Sequence, residues 1–256
     1  MRRPRSAQAC GLRVGRPNSD PGLKPMGRTA IHRSDEAPRH SKIKLDICAG
    51  VKSAAMRYEF LVETYATERL KVISVWSEFR DEDLPVRPHT TDRRGRSVHE
   101  QMVHQCVSED LWFRNMLGID VRALPLPKRE VRLEFIGEYA HDSGKRLELL
   151  RGKDDRWWEE IVKFFDVRRP RTWVMVRRIA HTSHHRGQLM AMLRMLGREI
   201  HSNYGPTADT GGLMQNHAPT IYAYPGINEL LAREAAGGSK SPLPGAGGKA
   251  VTERPT

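Results

Sequence analysis

Between residues 57 and 80, Leu61, Val62, Tyr65, Leu70, Ile73, Trp76 and Phe79 recur at steps of three and four. That spacing gathers apolar side chains into one stripe of an α-helix. Such a stripe has to be covered by other elements of comparable length, because a helix cannot bury its own apolar face.

The chain supplies three more long segments of the same kind. Ser97 stands three residues before Glu100, the pattern of a capping box, and a second helix is predicted from there to Leu117. A third runs from Arg129 to Gly152, carried by Val131, Phe135, Ile136, Tyr139, Leu147 and Leu150, with Ser143-Gly144 as a point where it could bend. Pro170 suits the first turn of a fourth helix and Gly197 suits its end. Between them, Trp157 to Phe165 is too short to assign by period and reads as a short helix or a covering strand. Pro85, Pro88 and Gly95 punctuate the first connection, Pro125 and Pro127 the second. Without strong strand signals, the expected architecture is all-α, a four-helix bundle over residues 56–200.

The flanks differ from this body. Residues 1–55 are rich in Arg, Pro, Gly and Ser and hold twelve Lys/Arg against four Asp/Glu, so most of the formal net charge of +12 belongs to them. They are expected to be a disordered basic extension. Met56 opens the first periodic stretch and is a candidate alternative start. Residues 201–234 are expected to be an irregular tail that packs on the bundle and covers part of it through Tyr204, Tyr222 and Tyr224, ending in a short helix near Ile227 to Glu234. The Gly/Pro/Ser-rich residues 235–256 are expected to be disordered.

Three scattered cysteines, Cys10, Cys48 and Cys106, make no disulfide framework and no CxxC zinc site. No apolar run is long enough to span a bilayer, and the Arg-rich start lacks the apolar core of a secretory signal. A cytoplasmic location is expected, with no membrane partner. Because the basicity belongs mainly to the extension, nucleic acid is not the expected partner either.

The chemistry-bearing feature is His181 and His185 in the fourth helix. Four residues apart, they lie about 40° apart around the axis and one turn along it, so both imidazoles can reach one ion. The segment reads His-Thr-Ser-His-His, without the glutamate that serves as general base in the HExxH metalloproteases. A metal site needs a third ligand from another helix, and His104 in the middle of the second helix is the best candidate. His99 and Cys106 point about 140° and 200° away from it. Spacing alone leaves open that these histidines are hydrogen-bonded core residues. Glu100 and Glu109 are candidates for orienting an imidazole, and His217 in the tail is a remote candidate for a fourth ligand.

The string from His181 to Gln188, followed by Leu189 and the Leu193-Arg-Met-Leu-Gly197 ending, resembles the last core helix of the DinB/YfiT-like family, which is distinct from the translesion polymerase of similar name. Val103-His104 with Trp112 downstream resembles that family's second-helix histidine, and the similarity runs from Met56 to Gly197 in helix order. The resemblance implies a three-histidine divalent metal site with His104, His181 and His185 as ligands, and a homodimer. Zinc comes first among the metals, with nickel, iron or manganese as alternatives. It implies a metal-dependent transferase, thiol-dependent in some members, or a hydrolase, acting on a small molecule such as a low-molecular-weight thiol. It names no catalytic residue beyond the ligands. The alternative is a non-catalytic metal- or ligand-binding stress-response protein.

Residues 1–55 carry too little apolar surface to offset the entropy of ordering them. A chain that begins at Met56 is therefore expected to melt at the same temperature as the full chain in differential scanning calorimetry. A large drop would mean that the extension is a structural arm.

Overall fold

The computed structural model describes residues 57–121, 124–250 and 252, so the expectation for residues 1–55 lies outside the described residues. The apolar stripes become four long helices: α1 (Glu59–Ser77), α2 (Val98–Trp112), α3 (Arg132–Arg151) and, after a short α4 (Asp155–Glu159), α5 (Arg171–Met195). A last helix, α6 (Ile227–Ala235), follows the irregular stretch after α5. α1 packs along α3 and α5, and α2 packs against α5 and α3.

Helix ends follow from local chemistry. At the start of α2, Ser97 Oγ accepts from Glu100 N at 3.2 Å while Glu100 Oε2 accepts from Ser97 N at 2.9 Å, which satisfies two N–H groups that have no partner within the helix. α2 continues into one π-helical turn, Phe113–Leu117, ended by Gly118 at φ 69°. α5 stops where Gly197 takes φ 66°. There Arg198 N donates to Leu193 O at 3.0 Å and Gly197 N to Arg194 O at 3.1 Å, the paired bonds of a Schellman ending.

Within residues 56–200, two features depart from the sequence expectation. The all-α reading omits a small antiparallel hairpin, β1 (Ile161–Phe164) and β2 (Val167–Pro170), with Ile161 opposite Pro170 and Phe164 opposite Val167. Four residues give only two cycles of alternation, too few for a period to register, and Trp157 to Phe165 divides between α4 and β1. Phe165 in the turn has φ 50°, a conformation that is uncommon for a bulky residue. The second departure is that α3 is unbroken at Ser143-Gly144. A Cβ on Gly144 would stand 3.1 Å from Arg69 Nη2; Arg69 Nε donates to Ser143 Oγ at 2.8 Å and Arg69 Nη2 to Ala140 O at 2.9 Å. The small pair is thus a seat for an arginine from α1.

The core has two apolar clusters. One gathers Trp76, Met102, Phe135 and Leu193 with Ile200, Ala223, Tyr224 and Leu230 from beyond α5. The other gathers Tyr65, Phe113, Leu117, Trp158 and Val174. The chain after α5 is fastened by Ser202 N to Ile221 O at 2.8 Å, and that after α6 by Lys240 to Glu234 at 2.8 Å and Gly245 N to Asp209 O at 2.9 Å.

Where the clusters meet, the Glu109 carboxylate of α2 is fully buried. It accepts from Tyr65 of α1 at 2.6 Å, from Tyr139 and Arg146 of α3 at 2.8 and 3.4 Å, and from Arg178 of α5 at 3.3 Å. Burial alone would raise its pKa, but the guanidinium groups of Arg178 and Arg146 and the two tyrosine hydroxyls bring it below the ordinary value. A depressed carboxylate contributes stability that is present above the unfolded pKa and lost as pH falls through the folded one. Glu109→Gln leaves two arginines buried beside a neutral amide, and is expected to cost about 3 kcal/mol in urea unfolding at pH 7. A loss below about 1 kcal/mol, the size of an ordinary neutral hydrogen bond, would show that this carboxylate does not hold the helices together.

Candidate metal centre

α2 and α5 pack with the middle of one against the middle of the other, and this brings His104, His181 and His185 together. One nitrogen from each lies within 4.8 Å of the others. His185 Nε2 stands 3.0 Å from His104 Nε2 and 3.2 Å from His181 Nε2. Nitrogens bound tetrahedrally to one ion at about 2.0 to 2.1 Å are about 3.3 to 3.4 Å apart, so these two separations are within a few tenths of an ångström of a ligand set. His185 is buried, and His104 and His181 are half-buried.

The protonation pattern follows from the neighbours. His185 Nδ1 faces Gln101 Oε1 at 2.9 Å and Gln188 Oε1 at 3.0 Å. With the amides oriented as they are here, both partners are acceptors, so Nδ1 carries the proton and Nε2 offers its lone pair to the centre. Gln101 Nε2 donates to Gln188 Oε1 at 2.8 Å and locks the two amides to each other. On the other side, Arg178 Nη1 lies 3.4 Å from His181 Nδ1. Arginine can only donate, so in this arrangement His181 bears its proton on Nε2 and directs it at His185. Arg178 is itself positioned by Ser108 at 3.0 Å and Glu109 at 3.3 Å, which links the core carboxylate to the histidines.

Burial and surrounding positive charge keep the imidazoles neutral. Burial first, then the Arg178 guanidinium, lowers His181 to about 3. Burial and the neighbouring His104 lower His185 to about 4, against a partial opposing effect of the Gln188 hydrogen bond. Burial, with Arg96 and Arg178, lowers His104 as well. Three neutral imidazoles whose Nε2 atoms face one another need only a change of tautomer, with no loss of charge, to offer their lone pairs to a metal; they fit a borderline divalent ion such as zinc.

Aromatic packing braces the cluster. Trp112 stacks on His181 with centroids 5.5 Å apart and planes 27° apart, and Phe164 and Phe165 of the hairpin meet Trp112 edge-on at 5.2 and 6.1 Å. The strained turn residue Phe165 thus sits one ring away from the ring that holds a candidate ligand.

The other polar residues of these segments have different partners. His99 pairs with Glu130 at 2.5 Å and packs on Phe135. Cys106 is buried in the apolar core, which pushes its thiol well up. His184 is exposed, with its ring 5.1 Å from His185 and Nε2 3.1 Å from Gln188 Nε2. Arg186 is buried against Glu68 at 2.6 Å. His217 is not among the three clustered residues. Neither glutamate orients an imidazole directly: Glu100 serves the cap and pairs with Arg87 at 2.5 Å, and Glu109 acts through Arg178. The orienting groups are Gln101 and Gln188, each three residues from a histidine and so on the same helix face. That spacing is a signal the sequence did contain.

A sequence model of the DinB family matches residues 56–212. The fold is similar to that of a DinB-like protein from Bacillus cereus, at 17% identity and a TM-score of 0.51 over 57% of this chain and 97% of the other. A DinB-like protein from Bacillus subtilis aligns at 13% identity and a TM-score of 0.43, over 55% of this chain and 93% of the other. No curated protein matches the chain, and among the described residues no helix is long and apolar enough to cross a membrane. With the family match spanning more than half of its length, the chain belongs to the DinB family.

Proposed function

We propose that this protein is a divalent-metal-dependent enzyme acting on a small molecule, a thiol-dependent transferase or a hydrolase, with His104, His181 and His185 holding the ion and zinc its first candidate. The observation that carries the reading is the convergence of three Nε2 atoms around His185, whose Nδ1–H is held by Gln101 and Gln188. Three protein ligands with one position left open are the usual set of a catalytic zinc site, and three neutral histidines are one of its forms. An ion held there supplies Lewis-acid polarisation to a substrate atom or stabilises a thiolate.

The chain's own residues do the preparation. Gln101 and Gln188 fix the tautomer and plane of His185, as outer partners of ligating histidines do. His104 and His181 have to present lone pairs at Nε2, which moves their proton to Nδ1. At His181 this breaks the 3.4 Å contact with Arg178, so Arg178 is a group whose position responds to loading of the site. Trp112 limits rotation of the His181 ring.

One observation favours the alternative of a metal-binding protein without turnover. The nearest carboxylate in the network, Glu109, is already engaged by Tyr65, Tyr139, Arg146 and Arg178, so it is not free to act as a general base. Turnover with a panel of thiol and ester substrates separates the two readings: zinc binding with no turnover of any of them selects the alternative.

Metal analysis of protein prepared without a histidine tag tests the ligand set. About one ion per chain is expected in the native protein, as three histidines make one site. A loss of most of that metal is expected in each of His104→Ala, His181→Ala and His185→Ala, with His184→Ala close to native. Equal metal content in all four variants would contradict the assignment.

The pH dependence is set by the lowered pKa values of His181 and His185, about 3 and about 4. An unfolded histidine titrates near 6.5, so between that value and the folded pKa values the unfolded state binds more protons. Stability of the metal-free protein should therefore be full above about pH 6.5 and fall progressively from there toward pH 4. The fall should be shallower in His181→Ala, read from urea midpoints across that range. Proton competition for the metal should likewise begin below the value near pH 6 expected of unperturbed histidines.

A further inference from the structure

A cleft of about 260 Å³ lies on the outer side of the glutamine pair that holds His185, lined by Pro88, Arg96, Gln101, Gln188, Met192 and Met195 among others. It shares Gln101 and Gln188 with the groups that hold His185. Its walls are apolar where Pro88, Met192 and Met195 form them, and its rim is cationic. We infer that this cleft is a binding site for a small organic anion, with Arg96 taking the anionic group and Pro88, Met192 and Met195 the apolar body. The inference rests on the reading above that the site handles a small molecule, and it names the class.

Three observations support it. First, Arg96 has no ion-pair or hydrogen-bond partner among the described residues, whereas the acidic groups around it are taken: Asp92 by Arg94 at 2.7 Å, and Glu100 by Arg87 and the Ser97 backbone. Second, its backbone is fixed on both sides. Arg87 Nη1 donates to Gly95 O at 2.7 Å, a Cβ on Gly95 would stand 3.3 Å from Pro88, and Ser97 caps α2. The Arg96 side chain is exposed, so its guanidinium can meet a ligand from an anchored backbone without first breaking an internal ion pair. Third, charge balance points the same way. The ligand set contains no carboxylate, so a bound divalent ion keeps its full charge, and Arg96 lines the same cleft as the two glutamines that hold His185. A cationic cleft beside an uncompensated ion attracts anions. The cleft is smaller than most drug-sized pockets, which restricts the ligand to a small molecule.

The probes are hexanoate, hexyl phosphate and the neutral hexanamide, titrated into full-length protein carrying ¹³C-methyl methionine. Dissociation constants and signal shifts are read by NMR for the native chain and for Arg96→Ala, with metal content measured on the same samples. At least one of the two anions is expected to bind about tenfold tighter than hexanamide, the worth of a charge-assisted hydrogen bond, and the tighter of the two identifies the head group. The Met192 and Met195 methyl signals should move. Arg96→Ala should remove the preference while keeping native metal content. Equal binding of all three probes, shifts confined to other methionines, or an anion preference that survives Arg96→Ala would each overturn the inference. Metal present without anion preference rejects the anion site and leaves the metal reading standing. Arg96-dependent anion binding in protein that takes up no metal rejects the metal reading and keeps the anion site.

Discussion

A carboxylate buried at the meeting point of four helices is the constraint on which the rest of the molecule depends. Glu109 takes hydrogen bonds or ion pairs from α1, α3 and α5 while standing on α2. An ionised group so placed is costly unless its partners are all present, so the helices cannot slide past one another without leaving a buried charge uncompensated. Apolar contact alone is more tolerant of such slips. The same carboxylate fixes Arg178, and Arg178 reaches His181. The helix register and the alignment of the candidate ligands therefore have a common origin.

From that register the chemistry of the site follows by short steps. The packed middles of α2 and α5 place three imidazoles together; burial and adjacent guanidinium groups keep them neutral; two glutamines fix which nitrogen of His185 faces inward. Guanidinium groups flank the site, Arg178 paired with Glu109 on one side and Arg96 on the cleft beside Gln101 and Gln188, and the ligand set contributes no negative charge. A site of this kind is matched to an ion whose charge is completed by something from outside the chain.

The sequence made legible whatever depends on periodicity or on a single local motif. The stripe from Leu61 to Phe79, the Ser97 to Glu100 box, the Gly197 stop and the four-residue step from His181 to His185 each express a geometry that a few residues determine. What it did not reveal depends on residues far apart in the chain. The pairing of Ile161 with Pro170 left too short a pattern to detect. The Ser143-Gly144 pair read as a weakness because its partner, Arg69, is more than seventy residues away. Glu109 read as a candidate helper of the histidines because its four arginine and tyrosine donors on other helices are not visible along one helix. Gln101 and Gln188 were within reach of the argument that found the histidines, since each repeats a ligand's helix face, but an amide without charge drew no weight.

The central claim is that three histidine nitrogens of this chain share one ion. X-ray absorption at the zinc edge, on protein loaded with one equivalent of zinc, tests it most directly. The account predicts three imidazole nitrogens at about 2.0 to 2.1 Å with the outer-ring scattering that marks histidine, and a further light atom that exchanges with added anions. A shell containing sulfur, or one with fewer than two imidazoles, would contradict it.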